Sequence, residues 1–222
     1  GSAIQPTDLG SGGYYPGGGS ISLVVSETLE NNGEISARGN ASASGGGIFI
    51  TNSSGNLFAG VRVDSNRSPT NGGGLLMINS PFNRIEADFT TNWCGFHGGG
   101  ICLPWGGWNG TNTFSGNFAG NFASNDGGAV YLERESHGTV ITNAFFLANY
   151  ASNSGGGLHT LAPFSRIEGV FSNNSSFNLG GAVFIQQYAN SNTFVLTLLS
   201  NTARSGSALW FNYARSNHVT LW

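Results

Sequence analysis

The 222-residue sequence contains no lysine, and only 9% of its residues carry a formal charge. All eight basic residues are arginine, and the net charge of −3 leaves no basic stripe of the kind that binds nucleic acid. No apolar run approaches the roughly 20 residues that a transmembrane helix needs, so no transmembrane segment is predicted in this chain. Apolar residues still make up 39% of the sequence and aromatic residues 12%, a composition typical of a folded protein.

Cysteine is also scarce, with only Cys94 and Cys102 present. Their separation is not a zinc spacing. Two alternatives are open: the pair forms a disulfide in an oxidising compartment, or both are small buried hydrophobic residues. The four histidines show no ligand spacing either, so the sequence predicts no metal site and no cofactor.

Glycine, by contrast, is abundant at 36 residues, without the Gly-X-Y period of collagen. It recurs in a phrase, GGG or GGA followed by an apolar run, at intervals of 25 to 29 residues. The phrases begin at Gly45, Gly72, Gly98, Gly127, Gly155 and Gly180, with a variant at Gly206. An asparagine precedes each phrase by five or six residues: Asn40, Asn66, Asn92, Asn121, Asn149, Asn174 and Asn201.

A unit of this length is too short for a helix pair with its turns, and the sequence shows no 3.6-residue periodicity. It suits two or three short strands, and stacked units bury a continuous core that one unit cannot bury alone. We therefore predict an all-β fold, a single-stranded parallel β-helix of about seven to eight rungs of 25–29 residues. Right-handed coiling is the expected hand. The β-helix is expected over residues 20–222, after a glycine-rich N-terminal arm at residues 1–19.

Glycine at a corner tolerates positive φ and lets backbones approach closely, and stacked asparagines can hydrogen-bond from rung to rung. The strand after each glycine phrase alternates in side-chain direction. Its first and third residues are apolar and should face the core, so the middle residue should face outward. The middle residues include Phe49, Tyr131, His159, Phe184 and Trp210.

This outward column is a candidate contact surface, because exposed apolar surface usually marks an interface. The alternatives are that the parity is wrong at some rungs, or that the N-terminal segment covers the column. Trp105 and Trp108, in the long loop PWGGWNG, form a second candidate aromatic patch.

The phrase F-x-x-N followed by G-G-A-[I/L/V] resembles the repeats of chlamydial polymorphic outer-membrane proteins, and related repeats occur in other bacterial and archaeal adhesin-like surface proteins. FAGN at Phe118 with GGAV at Gly127, and FSNN at Phe171 with GGAV at Gly180, match best. The resemblance covers residues 37–211, with Phe replaced at Val63 and Leu198 and with GGG instead of GGA in four copies. It implies an extracellular or surface-displayed β-helix, often an autotransporter passenger, with adhesion as the usual role.

Three functions follow as hypotheses. The first is adhesion through a lateral aromatic and polar face to a host or cell-surface protein or glycan. The second is a self-assembling fibre subunit, joined end to end through uncapped β-helix ends or through a donated N-terminal arm. The third is a polysaccharide-active enzyme centred on Glu133, Glu135, His137 and His159, which the scattered carboxylates disfavour; the chain is expected not to be an enzyme.

Overall fold

The computed structural model describes residues 21–22, 34–35 and 45–222. The expected arm at residues 1–19 and Asn40 lie outside the described residues. The strands are, in chain order, β1 (Ile21–Ser22), β2 (Glu34–Ile35), β3 (Ile48–Thr51), β4 (Leu57–Asp64), β5 (Arg67–Ser68), β6 (Leu75–Ile78), β7 (Arg84–Thr90), β8 (Trp93–Cys94), β9 (Ile101–Leu103), β10 (Thr113–Ala119), β11 (Phe122–Ala123), β12 (Val130–Leu132), β13 (Val140–Leu147), β14 (Tyr150–Ala151), β15 (Leu158–Thr160), β16 (Arg166–Ser172), β17 (Ser175–Ser176), β18 (Val183–Ile185), β19 (Thr193–Leu199), β20 (Leu209–Phe211) and β21 (His218–Leu221).

The strands form three sheets in which neighbours come from successive repeats. The first sheet has the order β1-β3-β6-β9-β12-β15-β18-β20, the second β2-β4-β7-β10-β13-β16-β19-β21, and the third β17-β14-β11-β8-β5. The strand pairs within these sheets are parallel, as between β12 and β15 or β13 and β16. The predicted all-β parallel β-solenoid is therefore confirmed.

The solenoid has about six turns rather than the expected seven to eight. Seven to eight turns are expected only if every glycine phrase begins a full turn. The phrase at Gly206, however, is followed only by β20 and β21, which extend the first and second sheets but not the third. The described residues contain one short 3₁₀ turn, at Arg134–Ser136, and no helix long and apolar enough to span a bilayer.

The corner between the third and first sheets explains the double glycine. Gly127 has a φ of +66°, in the left-handed region that glycine adopts without steric cost. A Cβ added to Gly128 would lie 2.2 Å from the carbonyl oxygen of Gly156 in the next turn. The Gly128 N–H donates to the Gly155 carbonyl at 3.0 Å. The first glycine thus permits the turn, and the second lets successive turns approach closely.

The corner between the second and third sheets holds a ladder of buried asparagines. Each side-chain Nδ2 donates to the Oδ1 of the asparagine in the next turn, at 2.9 to 3.1 Å. The ladder runs through Asn66, Asn92, Asn121, Asn149, Asn174 and Asn201. These hydrogen bonds satisfy amide groups that would be costly to bury unpaired.

The interior is filled by apolar side chains that repeat from turn to turn. Phe118 stacks on Phe146 with ring centroids 4.7 Å apart, and Phe146 stacks on Phe171 at 4.1 Å. Val130 and Leu132, the first and third residues of β12, also belong to this core. The phenylalanine of the repeated phrase is therefore a core residue.

Candidate functional site

The middle residues of the first-sheet strands lie on the outer face of that sheet. Leu76, Cys102 and Tyr131 form an apolar cluster separate from the main core. Tyr131 is adjacent to His159, and His159 to Phe184, with ring centroids 5.1 and 4.7 Å apart. We call this file of side chains the outer column.

The expected exposure of the outer column is wrong for its central members. Tyr131, His159 and Phe184 are only 7%, 3% and 4% exposed. Phe49 is half-buried, and Trp210 is 36% exposed. Side chains from flanking turns account for part of this burial, since the His97 ring stacks on Tyr131 at 4.2 Å and Gln186 contacts His159 at 2.7 Å.

A buried group of titratable side chains lies beside the outer column. His97 Nδ1 lies 3.5 Å from one carboxylate oxygen of Asp126, and His159 Nδ1 lies 3.4 Å from the other. Burial lowers the pKa of His97 to about 4, although the Asp126 carboxylate opposes this shift. Burial alone would raise the pKa of Asp126, but its interactions with His159, His97 and Asn153 lower it overall.

Tyr131 closes this group on one side. Its hydroxyl donates to Glu133 Oε2 at 2.9 Å, and burial raises its pKa above the ordinary value. Within residues 45–222 no set of histidine, cysteine and carboxylate side chains has the arrangement of a metal site. The group is a compact polar network against the outer column.

The two cysteines are free and buried in the structure. Cys94 lies in the third sheet and Cys102 in the first. Burial raises the pKa of Cys94 to about 12 and that of Cys102 well above its usual value. Both thiols are therefore expected to stay protonated and unreactive at neutral pH.

Exposed aromatic side chains gather instead at the corner between the first and second sheets. The loops of this corner, such as 79–83, 104–112 and 161–165, follow one another along the axis. We call their aromatic side chains the corner surface: Phe82, Trp105, Trp108, His137, Phe164, Tyr188 and Tyr213. Trp105 is 74% exposed, Phe164 68% and Tyr213 82%.

Several rings of the corner surface contact one another. Phe82 meets Trp108 edge to face at 5.2 Å between centroids. Trp108 stacks on His137 at 6.0 Å, and its Nε1–H donates to His137 Nε2 at 2.8 Å. The Arg134 guanidinium lies 5.4 Å from the Tyr188 ring. These contacts hold neighbouring loops in a fixed arrangement.

The backbone at this corner is strained where it carries aromatic residues. Phe82, Phe164, Tyr188 and Tyr213 all have positive φ, between 56° and 80°. This region is unfavourable for bulky side chains, and glycine or asparagine would occupy it at lower cost. Strained residues cluster at functional sites, so exposed aromatics on a strained backbone point to a binding role.

An open pocket of about 370 Å³ lies within the corner surface. Arg134, Glu135, His137, Pro163 and Phe164 line it. Arg134 and Glu135 form an ion pair of 3.1 Å, which leaves the pocket without a net charge from these two groups. Its lining therefore combines apolar residues, Pro163 and Phe164, with side chains that can form hydrogen bonds.

The four residues of the enzyme hypothesis do not form one site. Glu135 and His137 line the corner pocket, whereas Glu133 and His159 belong to the network beside the outer column. Glu133 accepts a hydrogen bond from Tyr131, whereas His137 accepts one from Trp108, so the two residues also have different partners.

One repeat of the chain matches a known family. Residues 113–133 match the model of the Chlamydia polymorphic membrane protein repeat. The resemblance to this repeat is confirmed. Comparison with curated proteins and with solved structures gives no significant match.

The polymorphic membrane protein repeat accounts for the scaffold rather than for the corner surface. Its matched segment contains Phe118 of the core stack, Asn121 of the ladder and Gly127 of the glycine corner. Trp105 and Phe164 lie outside it. Trp105 and Trp108 are predicted from the sequence as an aromatic patch, and His137 only as part of the enzyme hypothesis; the other four members of the corner surface are not predicted.

Two short sequence signals mark those missed residues. Phe82 and Phe164 each follow a proline and stand two residues before a strand of the second sheet. Tyr188 and Tyr213 begin the related segments YANSN and YARSN, each five residues before such a strand. When the loops are aligned on the first residue of the following strand instead of on the glycines, the two phenylalanines share one position and the two tyrosines share another.

Proposed function

We propose that this chain is an extracellular, surface-displayed β-solenoid module that acts in adhesion, with the corner surface as its contact region. The repeat match supports a surface location, because the matched family is one of membrane proteins. The observation that carries the contact region is the row of exposed aromatics on positive-φ backbone. The proposed role requires no catalytic step, only a rigid rod that presents side chains on one edge.

The outer column is not part of the proposed contact region, because its central side chains are buried. The corner surface replaces it as the lateral aromatic and polar face. Its rings lie on successive loops of a stacked scaffold, so they need little ordering when they bind. This preorganisation lowers the entropic cost of association.

Bead adhesion to cultured epithelial cells tests the proposal. Beads coated with the full chain are compared with beads coated with a triple variant, Trp105→Ser, Phe164→Asn and Tyr213→Asn. The two asparagines keep the left-handed backbone favourable while removing the rings. We expect the coated beads to adhere and the triple variant to lose most of this adhesion while keeping its circular dichroism spectrum and a melting temperature at least as high as that of the wild type.

A matched control lies on the outer face of the second sheet. Phe145, Leu147 and Leu199 are 54%, 47% and 50% exposed, so their replacement by serine removes three exposed apolar side chains elsewhere on the rod. This control should adhere like the wild type. Equal adhesion of the triple variant and the wild type would reject the corner surface as the contact region. Absence of adhesion by the wild type would reject a role in adhesion to these cells.

The self-assembling fibre stays a prediction. Sedimentation of the purified chain at micromolar concentration tests it: a strictly monomeric chain counts against end-to-end assembly.

A further inference from the structure

We propose that the corner pocket is a binding subsite for an uncharged saccharide, so that the corner surface takes a neutral glycan chain along the solenoid axis. This inference rests on the proposed function and names the ligand class for the same surface. The pocket's volume of about 370 Å³ lies within the range usual for small-ligand sites and suits one or two sugar rings.

Phe164 supplies the apolar wall of the subsite. Its side chain is 68% exposed and lines the pocket together with Arg134, Glu135 and His137. Pyranose rings present a face of C–H groups, which packs on the negative face of an aromatic ring. Phe164 is held with a φ of +57°, so the ring position is set by the backbone of the loop rather than by burial.

The polar wall matches hydroxyl groups rather than a charged ligand. Arg134 donates and Glu135 accepts, and their ion pair leaves no net charge between them. Glu135 Oε2 is buried and, within the described residues, accepts no hydrogen bond. A carboxylate oxygen accepts more than one hydrogen bond, so Oε1, which faces Arg134 at 3.1 Å, is the Glu135 acceptor proposed for a sugar hydroxyl.

His137 adds a donor to the same wall. Its Nε2 accepts the hydrogen bond from Trp108, so in the neutral ring the proton resides on Nδ1. The subsite then contains both donors and acceptors beside one aromatic face. This combination is the one that a polyhydroxylated ring with one apolar face requires.

The aromatic residues of the corner surface recur on successive turns, so the proposed binding region continues along the solenoid axis beyond the pocket. Successive turns of a parallel solenoid lie ~4.8 Å apart, which is close to the length of one sugar unit in an extended chain. Trp108, Phe164 and Tyr188 come from three different turns, and Arg134 links the pocket to Tyr188 through its cation–π contact. A linear glycan can therefore meet a ring at several consecutive units.

Binding of defined oligosaccharides tests the inference. The full chain is titrated by isothermal calorimetry with cellotetraose and chitotetraose as neutral probes and with sialyllactose and a heparin tetrasaccharide as acidic probes. We expect at least one neutral probe to bind, and Phe164→Asn to weaken that binding by about tenfold, which corresponds to the loss of about 1.4 kcal/mol. Glu135→Ala should weaken it as well, whereas the control Phe145→Ser should leave it unchanged.

The other outcomes overturn the inference in distinguishable ways. Binding of acidic probes only, equal binding by Phe164→Asn and the wild type, or no binding of any probe at millimolar concentration would each reject a neutral-saccharide subsite. If probe binding is absent but bead adhesion occurs and is lost in the triple variant, the adhesion proposal stands and the neutral-saccharide subsite is rejected. If the neutral probe binds but beads do not adhere, the subsite stands and the cellular role fails.

Discussion

Removal of a single amide from the asparagine ladder should destabilise the whole solenoid. The Asn121 side chain is buried and makes four hydrogen bonds. Its Oδ1 accepts from the backbone N–H and from Nδ2 of Asn92, at 3.1 and 3.0 Å. Its Nδ2 donates to the Phe89 carbonyl at 2.8 Å and to Asn149 Oδ1 at 2.9 Å. Asn121→Ala removes all four at once.

The expected loss follows from these contacts. Each hydrogen bond contributes about 1 kcal/mol net, and the Asn92 backbone N–H is left buried without its partner. We expect Asn121→Ala to lower the free energy of unfolding by about 4 to 5 kcal/mol, a large part of the roughly 5–15 kcal/mol typical of a folded domain. Urea unfolding, followed by circular dichroism, measures the shift in midpoint at constant slope.

Two further variants make this reasoning specific. Asn117 is exposed, and its amide donates only to Asp88, so Asn117→Ala should cost less than about 1 kcal/mol. Asn121→Asp keeps the shape but places a carboxylate against the Phe89 carbonyl and Asn149 Oδ1, so it should be unstable at neutral pH and partly recover on protonation. If Asn121→Ala costs no more than Asn117→Ala, the ladder does not stabilise the fold as argued.

Three other perturbations give distinct signatures. Burial lowers the pKa of His97 from 6.5 to about 4, so between these pH values His97 binds a proton in the unfolded chain but not in the folded one. The free energy of unfolding should therefore fall by about 3 kcal/mol as the pH drops through this range. Urea unfolding at a series of pH values measures this fall, and His97→Phe should remove it. Gly128→Ala should destabilise the fold strongly, because its Cβ would lie 2.2 Å from the Gly156 carbonyl oxygen. Gly120 has a positive φ, but the nearest contact of an added Cβ would be 3.5 Å, so Gly120→Ala should cost only about 1 kcal/mol. Similar urea-unfolding midpoints for the two variants would refute the argument from close backbone approach. Phe164→Asn should raise the free energy of unfolding by about 0.5 to 1 kcal/mol because it relieves left-handed strain, and a decrease would show that the exposed ring contributes to folding.

The sequence predicts the scaffold well because every turn repeats the same physical constraints. A positive-φ corner, a close backbone approach and a laddered amide each require a particular residue type. Gly127, Gly128 and Asn121 therefore recur at fixed spacing in the chain. Alternation within a strand also gives the direction of Tyr131 relative to its own sheet.

The same patterns do not report what lies over a sheet. Tyr131 points away from the core, yet the His97 ring from the preceding turn stacks on it, and Asp126 brings His97 and His159 together. These contacts join residues that follow different strands and share no motif. Burial of the outer column depends on tertiary contacts, so the alternation of side chains along a strand cannot predict it.

The corner surface escapes sequence analysis for a different reason. Its loops differ in length, as 79–83 and 104–112 show, so its members share no single offset from the glycine phrases. Phe82, Trp108 and His137 lie ten residues after the first glycine of their phrase, whereas the aromatic residues of the later turns lie seven to nine residues after it. Loops tolerate insertions because their backbone stays at the surface, and recognition residues concentrate there.

Under the proposed function, the solenoid separates the residues that stabilise the fold from those that bind. The glycine corner leaves no room for a side chain at Gly128, and the ladder corner satisfies buried amides at Asn121, so substitution at either corner is costly. The first corner instead retains bulky residues such as Phe164 and Tyr213 on left-handed backbone, where a smaller residue would be more stable. Retained strain of this kind is consistent with function, since natural proteins depart from their most stable sequence chiefly where activity requires it. Left-handed non-glycine residues also precede the ladder asparagines, as at Thr91 and Ala148, so what distinguishes the first corner is that its left-handed residues carry exposed aromatic rings. This difference is the reason for proposing the first corner as the binding edge of the rod.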